Sequence, residues 1–75
     1  MDRDLQTALR KAGYLSKFHL GSLIEACGPR QFRLETVRIG ARTLWYASEG
    51  DVESGCGCES PEEAVAYLWL ALHNL

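Results

Sequence analysis

Two cysteines one residue apart, Cys56 and Cys58 in "SGCGCES", have the residue types for metal or redox chemistry. A third, Cys27, closes "LIEAC", and His19 and His73 complete the supply of soft ligands. In a strand, Cys56 and Cys58 would point the same way, about 6.5–7 Å apart along the chain. Zinc takes four ligands, as a rule from C-x2-C or H-x3-5-H units, and no such unit occurs here. Neighbouring same-face strand cysteines make at best a strained disulfide. Packing accounts for the same pattern, because free cysteine is among the most buried residue types and Gly55 and Gly57 leave the opposite face bare. Small apolar side chains facing a helix are the preferred reading, a small metal or redox protein is its rival, and no cofactor is expected.

Acid–base or nucleophilic chemistry has less to work with. The chain lacks G-x-S-x-G, a phosphate-binding loop and H-E-x-x-H. On a helix, His19 would sit about 180–200° round from the apolar face, and His73 suits the negative end of a helix dipole. A chain this short has little room for a pocket of roughly 300 Å³. The reading is that it is not an enzyme.

The arginines raise nucleic acid as a ligand. Arg30, Arg33, Arg38 and Arg42 fall in and around one strand pair, with Trp45 and Tyr46 nearby for stacking. Residues 1–48 carry all eight basic groups and four acids, whereas residues 49–75 carry six acids and no base. The element order includes the α-β-β-β-α run of a double-stranded-RNA-binding domain. That fold needs a basic N-terminus on its last helix, and here "ESPEE" would repel phosphate. The alternative is a solvated strand face that pairs with the acidic third strand, so nucleic acid is the less favoured partner.

These residues must be positioned by one domain spanning 1–75, since 75 residues make a single core at most. No run of about 18 apolar residues exists to cross a membrane, and the charged "MDRDLQ" start predicts a cytoplasmic protein. Leu5, Ala8, Leu9 and Ala12 mark a first helix, capped by Asp2 or Asp4 and stopped at Gly13. Leu20, Leu23, Ile24 and Cys27 mark a second, which Ser16 would cap and Gly28-Pro29 would end.

"QFRLETVRIG" then changes period. Phe32 and Leu34 share one phase and Val37 and Ile39 the other, and a strand cannot keep both pairs on one face unless a bulge shifts the phase near Glu35–Thr36. Gly40-Ala41 fits a tight hairpin into "RTLWYAS". A third strand would follow, with Val52, Ser54, Cys56 and Cys58 on one face. Ser60, Pro61 and Glu63 form the start signal of a last helix. The predicted fold is α+β in the order α-α-β-β-β-α, a three-stranded antiparallel meander packed by helices.

The last helix carries the expectation of a partner. From Ala64 to Leu72 every residue is apolar, whereas a helix on a sheet needs a stripe only a little over about 100° wide. Val65, Leu68, Trp69, Leu72 and Leu75 would cover the sheet. Ala66, Tyr67, Leu70 and Ala71 would need cover from the first two helices, whose small residues promise little of it. Tyr67 and Leu70 are therefore assigned to an interface with a protein partner or a second copy in a homodimer.

"LIEACG" and above all "SPEEAVAYLWLAL" resemble a family of small proteins encoded by phages and prophages, over roughly residues 20–75. That family closes on a "TPEEAVARLWLAL" helix after a short aromatic meander. A fainter likeness links the chain to HicB-type antitoxins, which also run a meander into a "TPEEA" helix. The resemblance carries over no activity and no site residue. It implies a role by binding in a bacterial host: host takeover, inhibition of a defence system, or antitoxin-like repression.

Overall fold

In this computed structural model, which describes residues 1–28, 30–55 and 57–73, the first element is α1 (Arg3–Lys11). Asp2 caps it, its carboxylate accepting the Asp4 N–H at 3.4 Å, and Leu5 and Leu9 bury its apolar face. At the other end the Gly13 N–H donates to the Arg10 carbonyl and the Tyr14 N–H to the Leu9 carbonyl, the two bonds of a Schellman stop. Its hydrophobic contact is Leu9 with Tyr14, both buried.

The second helix starts later than its sequence signals predict. α2 spans Leu20–Cys27, its N-cap is His19, and no side chain caps it. Ser16 does not serve, because the carbonyls of the link are bound from the side. The Arg10 guanidinium donates to the carbonyls of Tyr14 and Ser16, each at 2.8 Å, and the Tyr14 hydroxyl donates to the Lys17 carbonyl. These bonds hold residues 14–19 as a non-helical link. Gly28, with φ 74°, caps the helix at its end. Pro29 lies outside the described residues.

β1 (Phe32–Ile39) and β2 (Arg42–Glu49) form an unbroken antiparallel pair, from Phe32 opposite Glu49 to Ile39 opposite Arg42. Gly40 makes the turn with φ 63°, and Ala41 keeps a negative φ, as a two-residue hairpin with glycine first requires. No bulge shifts the phase at Glu35–Thr36. Strict alternation instead sends Phe32 and Leu34 to the helices and Val37 and Ile39 to the other side.

The third strand is shorter than expected. β3 is only Val52–Glu53, and the chain rejoins β2 at a single bridge between Trp45 and Cys58. Between them Ser54 is bound through its N–H to the Ala47 carbonyl at 2.8 Å, and its hydroxyl accepts the Ala47 N–H at 3.1 Å. The partners of Ser54 and Cys58 are two residues apart on β2, whereas Ser54 and Cys58 are four apart in the chain. Val52 and Cys58 keep the helix-facing side; Cys56 lies outside the described residues.

α3 (Pro61–His73) packs on β2, β3, α2 and α1. Ser60 Oγ accepts the Glu63 N–H at 3.3 Å and donates to the Glu63 carboxylate at 3.2 Å. The box thus closes side chain to side chain. Ser60→Ala is expected to cost about 0.5–2 kcal/mol in chemical denaturation; an unchanged midpoint would mean the cap carries nothing. The architecture is α+β, with the strands in the order β1-β2-β3 and the helices on one face. Ala64, Val65, Ala66, Leu68 and Trp69 of α3 are all buried. The helix is therefore wrapped through about 200° of its circumference, by the sheet on one side and by α1 and α2 on the other. No helix among the described residues is long and apolar enough to cross a membrane.

Candidate interaction surface

The alternation of the hairpin gives the sheet two unlike faces. Phe32, Leu34, Trp45, Ala47 and Val52 pack into the core beneath the helices. The outer face carries Arg33, Glu35, Val37 and Ile39 from β1, opposite Ser48, Tyr46, Leu44 and Arg42 from β2. Val37 is 45% exposed and Ile39 59% exposed, with Leu44 and Tyr46 partly buried beside them. Glu35, Val37, Tyr46, Ser48 and Glu53 line a shallow depression of about 230 Å³ on this face.

Gly57 fixes the floor of that surface. A Cβ there would lie 2.8 Å from Tyr46 Oη and 3.0 Å from Leu44 Cβ. Leu44 Cβ is held by its strand and cannot retreat. Gly57→Ala is expected to destabilise by about 1–3 kcal/mol through overpacking, read as a lower melting temperature; equal melting would show that the segment simply moves away.

The residues assigned to a partner lie elsewhere. Tyr67 is on the exposed arc of α3, at 37% exposure. Leu70 is partly buried and packs against the core, and Ala66 is fully buried. The first two helices thus cover more of that side than their small residues promised.

The four arginines do not converge. Arg33 and Arg42 share the outer face, Arg38 is on the helix-facing side beyond the core, and Arg30 is in the turn before β1. Arg42 is paired with Glu59, and Arg33 Nε lies 3.8 Å from Glu35. Trp45 and Tyr46 point to opposite faces, so the sheet separates the two rings proposed for stacking.

A basic residue that sequence patterning passes over does more for the fold. The Arg10 guanidinium lies 4.4 Å from the Phe18 ring centroid while it binds the two carbonyls of the link. From Phe18 a run of aromatic contacts continues through Tyr14 at 5.8 Å and Trp69 at 5.3 Å to His73, stacked on Trp69 at 3.9 Å. His73 Nδ1 also lies 2.9 Å from the Trp69 carbonyl. Trp69 thus faces the α1–α2 link, and His73 is part of a packing column. His19 is exposed at the start of α2.

Cys27 is buried, its thiol directed at the Val65 carbonyl at 3.8 Å. Burial pushes it up from an ordinary 9.0 to about 11, and the nearby Glu49 carboxylate adds to the shift. Glu49 Oε1 accepts the Gln31 N–H at 2.9 Å, while Oε2 is buried without a hydrogen-bond partner. Burial likewise raises the Tyr14 phenol, against the opposing pull of Ser16 and Arg10. Cys58 is buried beside Trp45. No group of three or more His, Cys, Asp or Glu among the described residues could hold a metal ion.

The thiol gives a sign for alkaline stability. The folded chain holds the Cys27 proton more tightly than the unfolded chain does. The stabilisation is complete below pH 9 and is lost as pH rises from about 9 to 11, by up to about 2 kcal/mol. Urea midpoints across that window should fall for wild type and fall less for Cys27→Ala. Parallel curves would show that the thiol does not titrate differently in the two states.

Compared with family models, with curated proteins and with solved structures, the chain matches none.

Proposed function

We propose that this chain is a small protein-binding module, encoded by a phage or another mobile element, whose contact surface is the outer face of its sheet. The observation that carries the reading is the pair Val37 and Ile39, left in solvent by a strand that spends half its apolar residues on the side away from the core. An unbroken strand whose outer face passes from the charged Arg33 and Glu35 to the exposed apolar Val37 and Ile39 offers both the apolar and the polar part of an interface. The partner is a protein that presents an apolar side chain beside a basic one, because Glu35 and Glu53 flank the depression that Val37 and Tyr46 floor. The likeness of "LIEACG" and "SPEEAVAYLWLAL" to phage-encoded proteins supports a bacterial host protein as the target, in host takeover or in blocking a defence.

The test is a crosslinking comparison in the native host. A photoreactive residue at Ile39 should capture one protein. Val37→Asp should abolish that capture while leaving circular dichroism unchanged, and Tyr67→Asp should leave it intact. Capture that depends on Tyr67 and not on Val37 would move the interface to α3. Affinity for duplex or single-stranded nucleic acid that falls steeply with salt would replace the reading with a nucleic-acid-binding or antitoxin-like one.

A further inference from the structure

Among the described residues β1 is an edge strand: the sheet order places β2 on one side of it and no strand on the other, while α3 packs over β2 and β3. In a two-residue hairpin the closing pair, Ile39 and Arg42, is hydrogen-bonded, and bonded pairs recur at every second residue. The bond from the Gly50 N–H to the Gln31 carbonyl, at 3.3 Å, confirms that the odd residues of this segment turn inward. Phe32, Leu34, Thr36 and Arg38 therefore turn their N–H and C=O groups out of the sheet. Proteins blunt such an edge with charged side chains, a proline, a bulge or a very short strand. β1 has eight residues and neither proline nor bulge, so its charges, Arg33, Glu35 and Arg38, are what guard it.

Its charges restrict what can pair with it. Arg33 and Glu35 lie on the same face two residues apart, 74% and 64% exposed. Consider a second copy of β1 laid antiparallel along the edge, with outward groups facing outward groups and the two outer faces continuous. The registers then differ by steps of one residue at the two-fold axis. With Glu35 on the axis, two carboxylates stand opposite each other. With Arg33 on the axis, two guanidinium groups do. With Thr36 on the axis, Leu34 meets Arg38, and Arg33 and Glu35 meet apolar residues. With Leu34 on the axis, Arg33 of each copy faces Glu35 of the other. These two pairs are non-hydrogen-bonded ones, where side chains come closest.

We infer that β1 pairs with β1 of a second copy in this last register, across residues Phe32–Thr36. About six backbone hydrogen bonds link the copies, Leu34 meets Leu34 beneath the sheet, and two Arg33–Glu35 pairs close it above. Arg30, the next outward residue, ends the ladder, since its N–H is already given to the Gly28 carbonyl at 2.8 Å. The product is one six-stranded sheet with both outer faces on the same side. The inference rests on the edge and its charges, and stands apart from the reading of the outer face as a docking surface.

Sedimentation equilibrium from micromolar to millimolar concentration tests it. Wild type should reach twice the 8.4 kDa chain mass. Arg33→Glu and Glu35→Arg should each weaken the dimer by about tenfold or more, and the double reversal should return it to within roughly threefold of wild type. Both positions are exposed, so the variants fold. Thr36→Pro removes one outward N–H at an edge where proline is tolerated; it should give a monomer with an unchanged circular dichroism spectrum. A wild type that stays monomeric throughout overturns the inference, as does a dimer indifferent to the single reversals. A dimer lost only in Val37→Asp or Tyr67→Asp overturns it too, and leaves the docking reading to its own test.

Discussion

Replacing Leu68 with alanine is expected to lower the unfolding free energy by about 2–5 kcal/mol. Leu68 is fully buried, among the largest side chains with no solvent contact, and it lies within the arc of α3 that is wrapped by the rest of the protein. A domain of this length has only about 4–11 kcal/mol to lose, so the variant will be partly or wholly unfolded at ambient temperature. Urea denaturation followed by far-ultraviolet circular dichroism reads the loss directly. A midpoint equal to that of wild type would mean that α3 does not form the core.

Trp69→Ala is expected to cost about 3–5 kcal/mol, with a different signature. Trp69 is 5% exposed and holds Tyr14 edge-on at 5.3 Å while His73 stacks on it at 3.9 Å. Its loss removes buried area and the support of the α1–α2 link together, so α1 should loosen first. Hydrogen exchange should therefore accelerate at Tyr14, whose N–H closes the stop of α1, more than at the β1–β2 hairpin. His73→Ala, which takes away only the outermost ring, should cost well under half as much. Equal losses at the two positions would show that the stack, and not the buried indole, holds the link.

Elements whose cause is local were legible in the sequence. Asp2, Gly13, Gly40, Ser60 and Pro61 each act on bonds within a few residues, and each lies where its residue type predicts. The start of α2 was not legible. Arg10 and Tyr14 bind the carbonyls of the link and hold it in a non-helical course, and those bonds exist only once α1 has placed Arg10 beside the link. The brevity of β3 was hidden for a similar reason, because alternation in "DVESGCGCE" does not reveal a two-residue shift in pairing.

Val37 and Ile39 are out of phase with Phe32 and Leu34, and one face could hold all four only through a bulge. The strand keeps its phase and leaves them outside. The phase change is therefore the sequence signal of a two-faced strand. Of the two α3 residues assigned to a partner, Tyr67 is exposed and Leu70 is partly buried against the core.

The place of α3 in the chain has a consequence for synthesis. Five of the twelve buried apolar residues among those described belong to it, and it is the element that touches α1, α2, β2 and β3 alike. It also follows all of them in order. Domains as a rule gain structure from the N-terminus while the ribosome is still working, but here the earlier segments have no common surface to settle on until the Ser60–His73 stretch is available. A nascent chain halted before Ser60 would present a hairpin apolar on both sides, with Phe32 and Leu34 on one and Val37 and Ile39 on the other. Such a strand pair is a substrate for chaperones, proteases and its own aggregation, so cells should clear interrupted copies of this protein much faster than finished ones.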